Sequence, residues 1–176
     1  SVEFKGKGAK YLIGNGATKI APPPLTGTST NDDLVKIRSD ETADLRVTLQ
    51  GLELNGDDVP FNTGGIYCWP RNSPPTLAEP HFVTLTILDS SISNHKGAGI
   101  TAASCRVSIR RTRIENNVYG GILMLPHSTG SADYWLQAYN VVFRNNGWTA
   151  DASIGAVYFA GRIGARAKLS QVLMAG

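Results

Sequence analysis

Four residues in this chain could assemble a proton-transfer site: Asp57, His95, Lys96 and Arg113. A carboxylate beside an imidazole orients the ring and favours its service as a general base near neutral pH. A lysine and an arginine close by would stabilise the charge that develops when a proton is taken from a uronic acid. That is lyase chemistry, with His95 as base, Asp57 orienting it, and Lys96 and Arg113 as electrostatic helpers. The bland reading of the same residues is a solvated turn with unlike charges side by side. A second set is suited to binding: Arg46, Arg106, Arg110, Trp135, Tyr139 and Arg166. Arginine forks pair with carboxylates or sulfates, and aromatic rings supply flat apolar platforms, so these residues suit an anionic sugar chain. Their bland reading is a solvated face that keeps the protein soluble.

Both sets are scattered along the chain, and a repeating architecture would align them. A repeat is present. Apolar residues recur in one pattern at Val47, Leu49 and Leu54, at Leu85, Ile87 and Ile92, at Val107, Ile109 and Ile114, and at Leu136, Ala138 and Phe143. A weaker copy follows at Ala167, Leu169 and Met174. Equivalent positions are 38, 22, 29 and 31 residues apart, so a fixed unit carries insertions of varying length. Asn94, Asn116 and Asn145 close three of the copies. A second pattern begins with glycine: Gly65-Ile66-Tyr67-Cys68, Gly99-Ile100, Gly121-Ile122 and Gly155-Ala156. These are short strands of period two, divided by turns rich in Gly, Asn, Asp and Ser. Stacked coils with one apolar column answer that pattern, because no coil can bury its inner face alone.

The tract 45–176 resembles the right-handed parallel β-helix repeats of the pectate-lyase-like superfamily. The resemblance implies an all-β, right-handed, single-stranded solenoid of about six to seven coils, in one domain spanning 1–176. Residues 1–44 are expected as irregular N-terminal coils or a cap, and 45–176 as the regular repeats. The superfamily contains lyases, hydrolases, epimerases, tailspikes and adhesins, so the likeness implies a fold and no single activity. It also implies a secreted or cell-surface setting. The Gly-His-Gly of polygalacturonases is absent, and no outward carboxylate cluster offers the converging oxygens that calcium needs.

Within this register, alternation of side chains across each strand builds outward ladders. One reads Arg46, Thr84, Arg106, Trp135, Arg166; the next Thr48, Thr86, Ser108, Gln137, Lys168; the third Gln50, Leu88, Arg110, Tyr139, Ser170. The aligned asparagines are expected to form an amide ladder. One step beyond them lie Asp57, His95, Asn117 and Asn146. Cys68 and Cys105 fall in phase with inward residues and read as buried thiols, with a single disulfide as the alternative.

Composition narrows the partners. A net charge of +3 is mildly basic and permits an anionic polysaccharide. Nucleic acid is disfavoured, because Asp and Glu are spread throughout. No apolar run has the length of a membrane span, and no cofactor or metal motif is present. A homodimer is expected either through the C-terminal coil, which ends Leu173-Met174-Ala175-Gly176 without a polar cap, or through a face formed by Tyr67, Leu123 and Tyr158. The leading expectation is a non-catalytic module that binds a glycan or protein through its outer ladders. The alternative is a carbohydrate-active enzyme, a polysaccharide lyase before a glycoside hydrolase.

Overall fold

The computed structural model describes residues 1–21, 33–39, 43–57, 64–70, 82–126, 133–147, 155–160 and 165–175. The proline-bearing loop segments at 22–24 and 71–80, and Asp58, His81 and His127, lie outside the described residues. In chain order the strands are β1 (Val2–Gly6), β2 (Gly8–Ile20), β3 (Val35–Ser39), β4 (Leu45–Asn55), β5 (Ile66–Pro70), β6 (Val83–Leu88) and β7 (Ser91–Ser93). They continue as β8 (Ala98–Ala103), β9 (Arg106–Glu115), β10 (Gly120–Leu125), β11 (Trp135–Arg144), β12 (Val157–Phe159) and β13 (Arg166–Ala175). Among the described residues there is no helix.

The strands make two parallel sheets. A short sheet runs β1-β3-β5-β8-β10-β12, and a long one runs β2-β4-β6-β9-β11-β13, with β7 paired to β4 and β9. The chain alternates between sheets and each sheet stacks in sequence order. This is an all-β arrangement compatible with a β-solenoid. Six coils result: β1 with β2, β3 with β4, β5 with β6 and β7, β8 with β9, β10 with β11, and β12 with β13. Within 1–44 the described residues include a strand with a shifted register, β2, whose pairing with β4 slips between Ile13 and Thr18. This stretch contributes β1, β2 and β3 to the same two sheets.

The inward column follows the periodicity. Val47, Leu85, Val107 and Leu136 are stacked partners and buried, as are Leu49, Ile87, Ile109 and Ala138. From β4 onward the long sheet bends where Gly51, Asp89 (between β6 and β7), Arg111, Asn140 and Gln171 stack in the left-handed backbone region, with φ between 48° and 63°. The bend splits the long sheet into two faces. Inside it, hydroxyls satisfy the turned backbone: Ser90 Oγ donates to the Leu88 carbonyl (2.6 Å) and Thr112 Oγ1 to that of Arg110 (2.9 Å).

The glycine-led pattern has a steric cause. A Cβ on Gly99 would lie 2.8 Å from the Gly121 carbonyl oxygen, and one on Gly65 2.5 Å from that of Gly99. Real Cβ atoms do not approach backbone so closely. The register corrects one alignment: Ile122 pairs with Val157, so Ala156, and not Gly155, stands opposite Gly121. The side chain of Ala156 is tolerated where no further described coil presses on it.

A second correction concerns the cysteines. Cys68 and Cys105 are buried as the register predicts, but they are joined in a disulfide with Cα atoms 6.5 Å apart. Cys68 pairs across the sheet with Ala102, and Cys105 stands three residues further on, at the corner into β9. Inward phase alone says nothing of proximity. Stacking adjacent coils supplies it.

Candidate functional site

His95 is entirely buried, and its surroundings explain why a histidine is tolerated there. Its Nε2 faces the Leu54 carbonyl oxygen at 3.2 Å. In the next two coils, Asn117 Nδ2 donates to the Ile92 carbonyl (3.3 Å) and Asn146 Nδ2 to that of Ile114 (2.8 Å). Leu54, Ile92 and Ile114 are themselves stacked partners. His95 is thus the histidine member of an internal ladder otherwise built from asparagine amides. Because a carbonyl only accepts, Nε2 carries a proton and donates it. Nδ1 is buried without a partner, against Gly56, where a Cβ would come within 2.6 Å of it. Burial pushes the His95 pKa down to about 4, against the opposing effects of the Leu54 hydrogen bond and the Asp57 charge.

The four residues expected to converge for proton transfer are therefore divided. Asp57 and Lys96 line one open concavity of about 670 Å³ with Asn94, Asn116 and Asn145. His95 faces the core beneath it. Arg113 belongs to another face, in the outward register of the second half of the long sheet, opposite Ser91 and Val142. There it lines a concavity with Glu53, Asp89 and Arg111, the last two paired through both carboxylate oxygens at 2.5 and 2.9 Å. The asparagines form the expected amide ladder: Asn145 donates to Asn116 (3.2 Å), Asn116 to Asn94 (3.1 Å), and Asn94 to Asn55 (3.4 Å).

The first half of the long sheet presents the sugar-binding candidates in the expected register. Arg46, Thr84, Arg106, Trp135 and Arg166 are successive partners; so are Gln50, Leu88, Arg110, Tyr139 and Ser170. The N-terminal coil extends these rows with Ala9, Tyr11 and Ile13. A shallow depression of about 380 Å³ opens on this face, lined by Ser108, Arg110, Gln137, Tyr139, Lys168 and Ser170. Tyr139 is 46% exposed at its centre. Two cations, an exposed phenol ring and three neutral hydrogen-bonding groups thus share one surface.

Arg106 is differently employed. Its guanidinium pairs with the Asp133 carboxylate (2.5 Å), donates from Nε to the Asp133 carbonyl (3.3 Å) and stacks over the Phe82 ring at 3.5 Å. Arg166 lies 3.7 Å from the same carboxylate, with its side chain 77% exposed. Asp133 and Phe82 precede strands and lie outside the repeat, so the periodicity carried no signal for them. Lys168, Gln137, Ser108 and Ser170 were legible in the ladders, yet their convergence needs three adjacent coils.

On the short sheet, Tyr67, Thr101, Leu123 and Tyr158 form one outward row, with Trp69 edge-on to Tyr67 at 4.5 Å between centroids. At the last coil, Leu169, Leu173 and Met174 are exposed. Among the described residues, no cluster of three metal-ligating side chains occurs and no helix is long and apolar enough to cross a membrane. No protein-family model matches the chain, and neither a curated protein nor a solved structure does.

Proposed function

We propose that the chain is a non-catalytic, right-handed parallel β-helix module of the pectate-lyase-like kind that binds an anionic glycan. The binding surface is the outer face of the first half of the long sheet. The observation that carries this reading is the depression in which Arg110 and Lys168 flank the exposed ring of Tyr139. Cations there meet carboxylate or sulfate, the ring meets an apolar sugar face, and Ser108, Gln137 and Ser170 meet hydroxyls. Catalysis is disfavoured because, among the described residues, the one imidazole near Asp57 and Lys96 is sealed in the core and committed to the Leu54 carbonyl. The disulfide between Cys68 and Cys105 favours an oxidising compartment, in keeping with a secreted or surface-exposed module.

A protein partner is the second reading, supported by the half-buried row of Tyr67, Trp69 and Leu123 beside exposed Tyr158. A panel of acidic and neutral polysaccharides, scored for binding and for new chain ends together, tests both. Salt-sensitive binding without cleavage, weakened several-fold in Arg110→Gln and in Tyr139→Ala, is the expected result. New unsaturated ends would overturn the non-catalytic reading. Absence of binding to any glycan would hand the function to the protein-partner face.

A further inference from the structure

The charges on the proposed binding face follow the coil number. Counting from the N-terminus, the outward residues of the first half of the long sheet are Ala9, Tyr11 and Ile13 on coil one, and Arg46, Thr48 and Gln50 on coil two. Coil three offers Thr84, Thr86 and Leu88, and coil four Arg106, Ser108 and Arg110. Coil five offers Trp135, Gln137 and Tyr139, and coil six Arg166, Lys168 and Ser170. Every cation stands on an even coil. The outward residues of the odd coils are neutral, and those of coils one and five include the aromatic rings.

Parallel coils are spaced by about 4.8 Å, so cations recur about every 9.6 Å along the stack. An extended chain of equatorially linked pyranoses advances by about one coil spacing per sugar. Laid along the stack, it would set alternate sugars over cationic coils and the others over neutral ones. Arg106 is partly neutralised by Asp133. Without it, and without Arg166, which approaches the same carboxylate, the pattern rests on Arg46, Arg110 and Lys168; these have no ion-pair partner among the described residues and stand on coils two, four and six in the first, third and second outward rows.

Resting on the glycan-binding reading above, we infer that the ligand is an acidic polysaccharide in which acidic and neutral sugars alternate. Its acids meet Arg46, Arg110 and Lys168, and its neutral rings meet Tyr139 and its coil-five neighbours. A neutral ring over an odd coil avoids burying a carboxylate against Tyr139 or Leu88 without a cation, which would be costly. Discrimination then comes as much from the uncharged coils as from the charged ones.

The test compares oligosaccharides of equal length by calorimetry on the whole chain. The probes are hyaluronan, whose acid falls on alternate sugars, β-1,4-glucuronan, with an acid on each, and a neutral β-1,4-glucan. Hyaluronan is expected to bind about tenfold more tightly than glucuronan despite carrying half the charge. Gln137→Lys, an exposed change that adds a cation on coil five, is expected to raise glucuronan affinity and erase most of that preference. Glucuronan binding as well as hyaluronan in the wild type would overturn the alternation while leaving an anionic-glycan face intact. So would a Gln137→Lys protein whose preference is unchanged. Failure of both acidic chains to bind would remove the glycan-binding reading itself, and the inference with it.

Discussion

His95 shows how one side chain can be chemically suggestive and structurally committed. The unfolded chain takes up a proton on this ring below about pH 6.5, whereas the folded protein refuses it until about pH 4. Uptake by the unfolded state alone means that acid pulls the equilibrium towards unfolding. The stabilisation is complete above pH 6.5 and is lost between about 6.5 and 4, a term of about 3 kcal/mol. His95→Asn supplies the amide that Asn117 and Asn146 already use. We therefore expect urea midpoints of this variant to change much less than wild type between pH 7 and pH 4.5. Equal slopes for the two proteins would mean that other groups govern acid stability. Glycines give a second residue-scale prediction. Gly99→Ala drives a methyl against the Gly121 carbonyl and should cost about 2 kcal/mol in denaturant titrations. Gly155→Ala meets nothing within 4 Å and should be close to neutral.

At the scale of elements, the disulfide fastens β5 to the corner between β8 and β9. It closes a loop of 37 residues, and the chain-entropy argument puts its removal at about 3–4 kcal/mol. A Cys68→Ala/Cys105→Ala protein should lose that amount in guanidinium unfolding, and reductant should destabilise wild type but leave the double variant unmoved. Unchanged wild-type stability in reductant would show that the pair contributes packing alone. The amide ladder is the other connection between coils. Asn116 both donates to Asn94 and accepts from Asn145. Asn116→Ala should therefore cost about 1–2 kcal/mol, while leaving the sheets and the proposed binding face in place.

At the scale of the molecule, one sheet face gathers groups from several coils, so the proposed binding would be spread over a surface rather than focused in a cleft. Tyr139→Ala and Lys168→Gln are each expected to weaken anionic-glycan binding several-fold without shifting the unfolding midpoint, since both project outwards. Arg106→Gln should behave differently. Its fork holds Asp133 and covers Phe82, so its loss should lower stability as well as affinity. A melting curve run beside each binding isotherm separates the two behaviours.

The sequence by itself determined the coil. Period two placed Val47, Leu85, Val107 and Leu136 in one buried column, and the same count aligned Arg110 with Tyr139 and Thr86 with Ser108. It also placed the asparagines of the amide ladder, because a residue's phase within a regular strand follows from local geometry alone. Three matters were left to tertiary structure. Periodicity made Cys68 and Cys105 inward, but only stacking made them close enough to bond. It brought Asp57, His95 and Lys96 into sequence register, yet the turn aimed the imidazole inwards at the Leu54 carbonyl and left Arg113 on another face. It set Arg106 in a ladder without revealing Asp133 and Phe82, which lie outside the repeat and reach that arginine only through space. Phase along a strand is a one-dimensional property; side-chain aim at a corner and contacts from outside the repeat are three-dimensional ones.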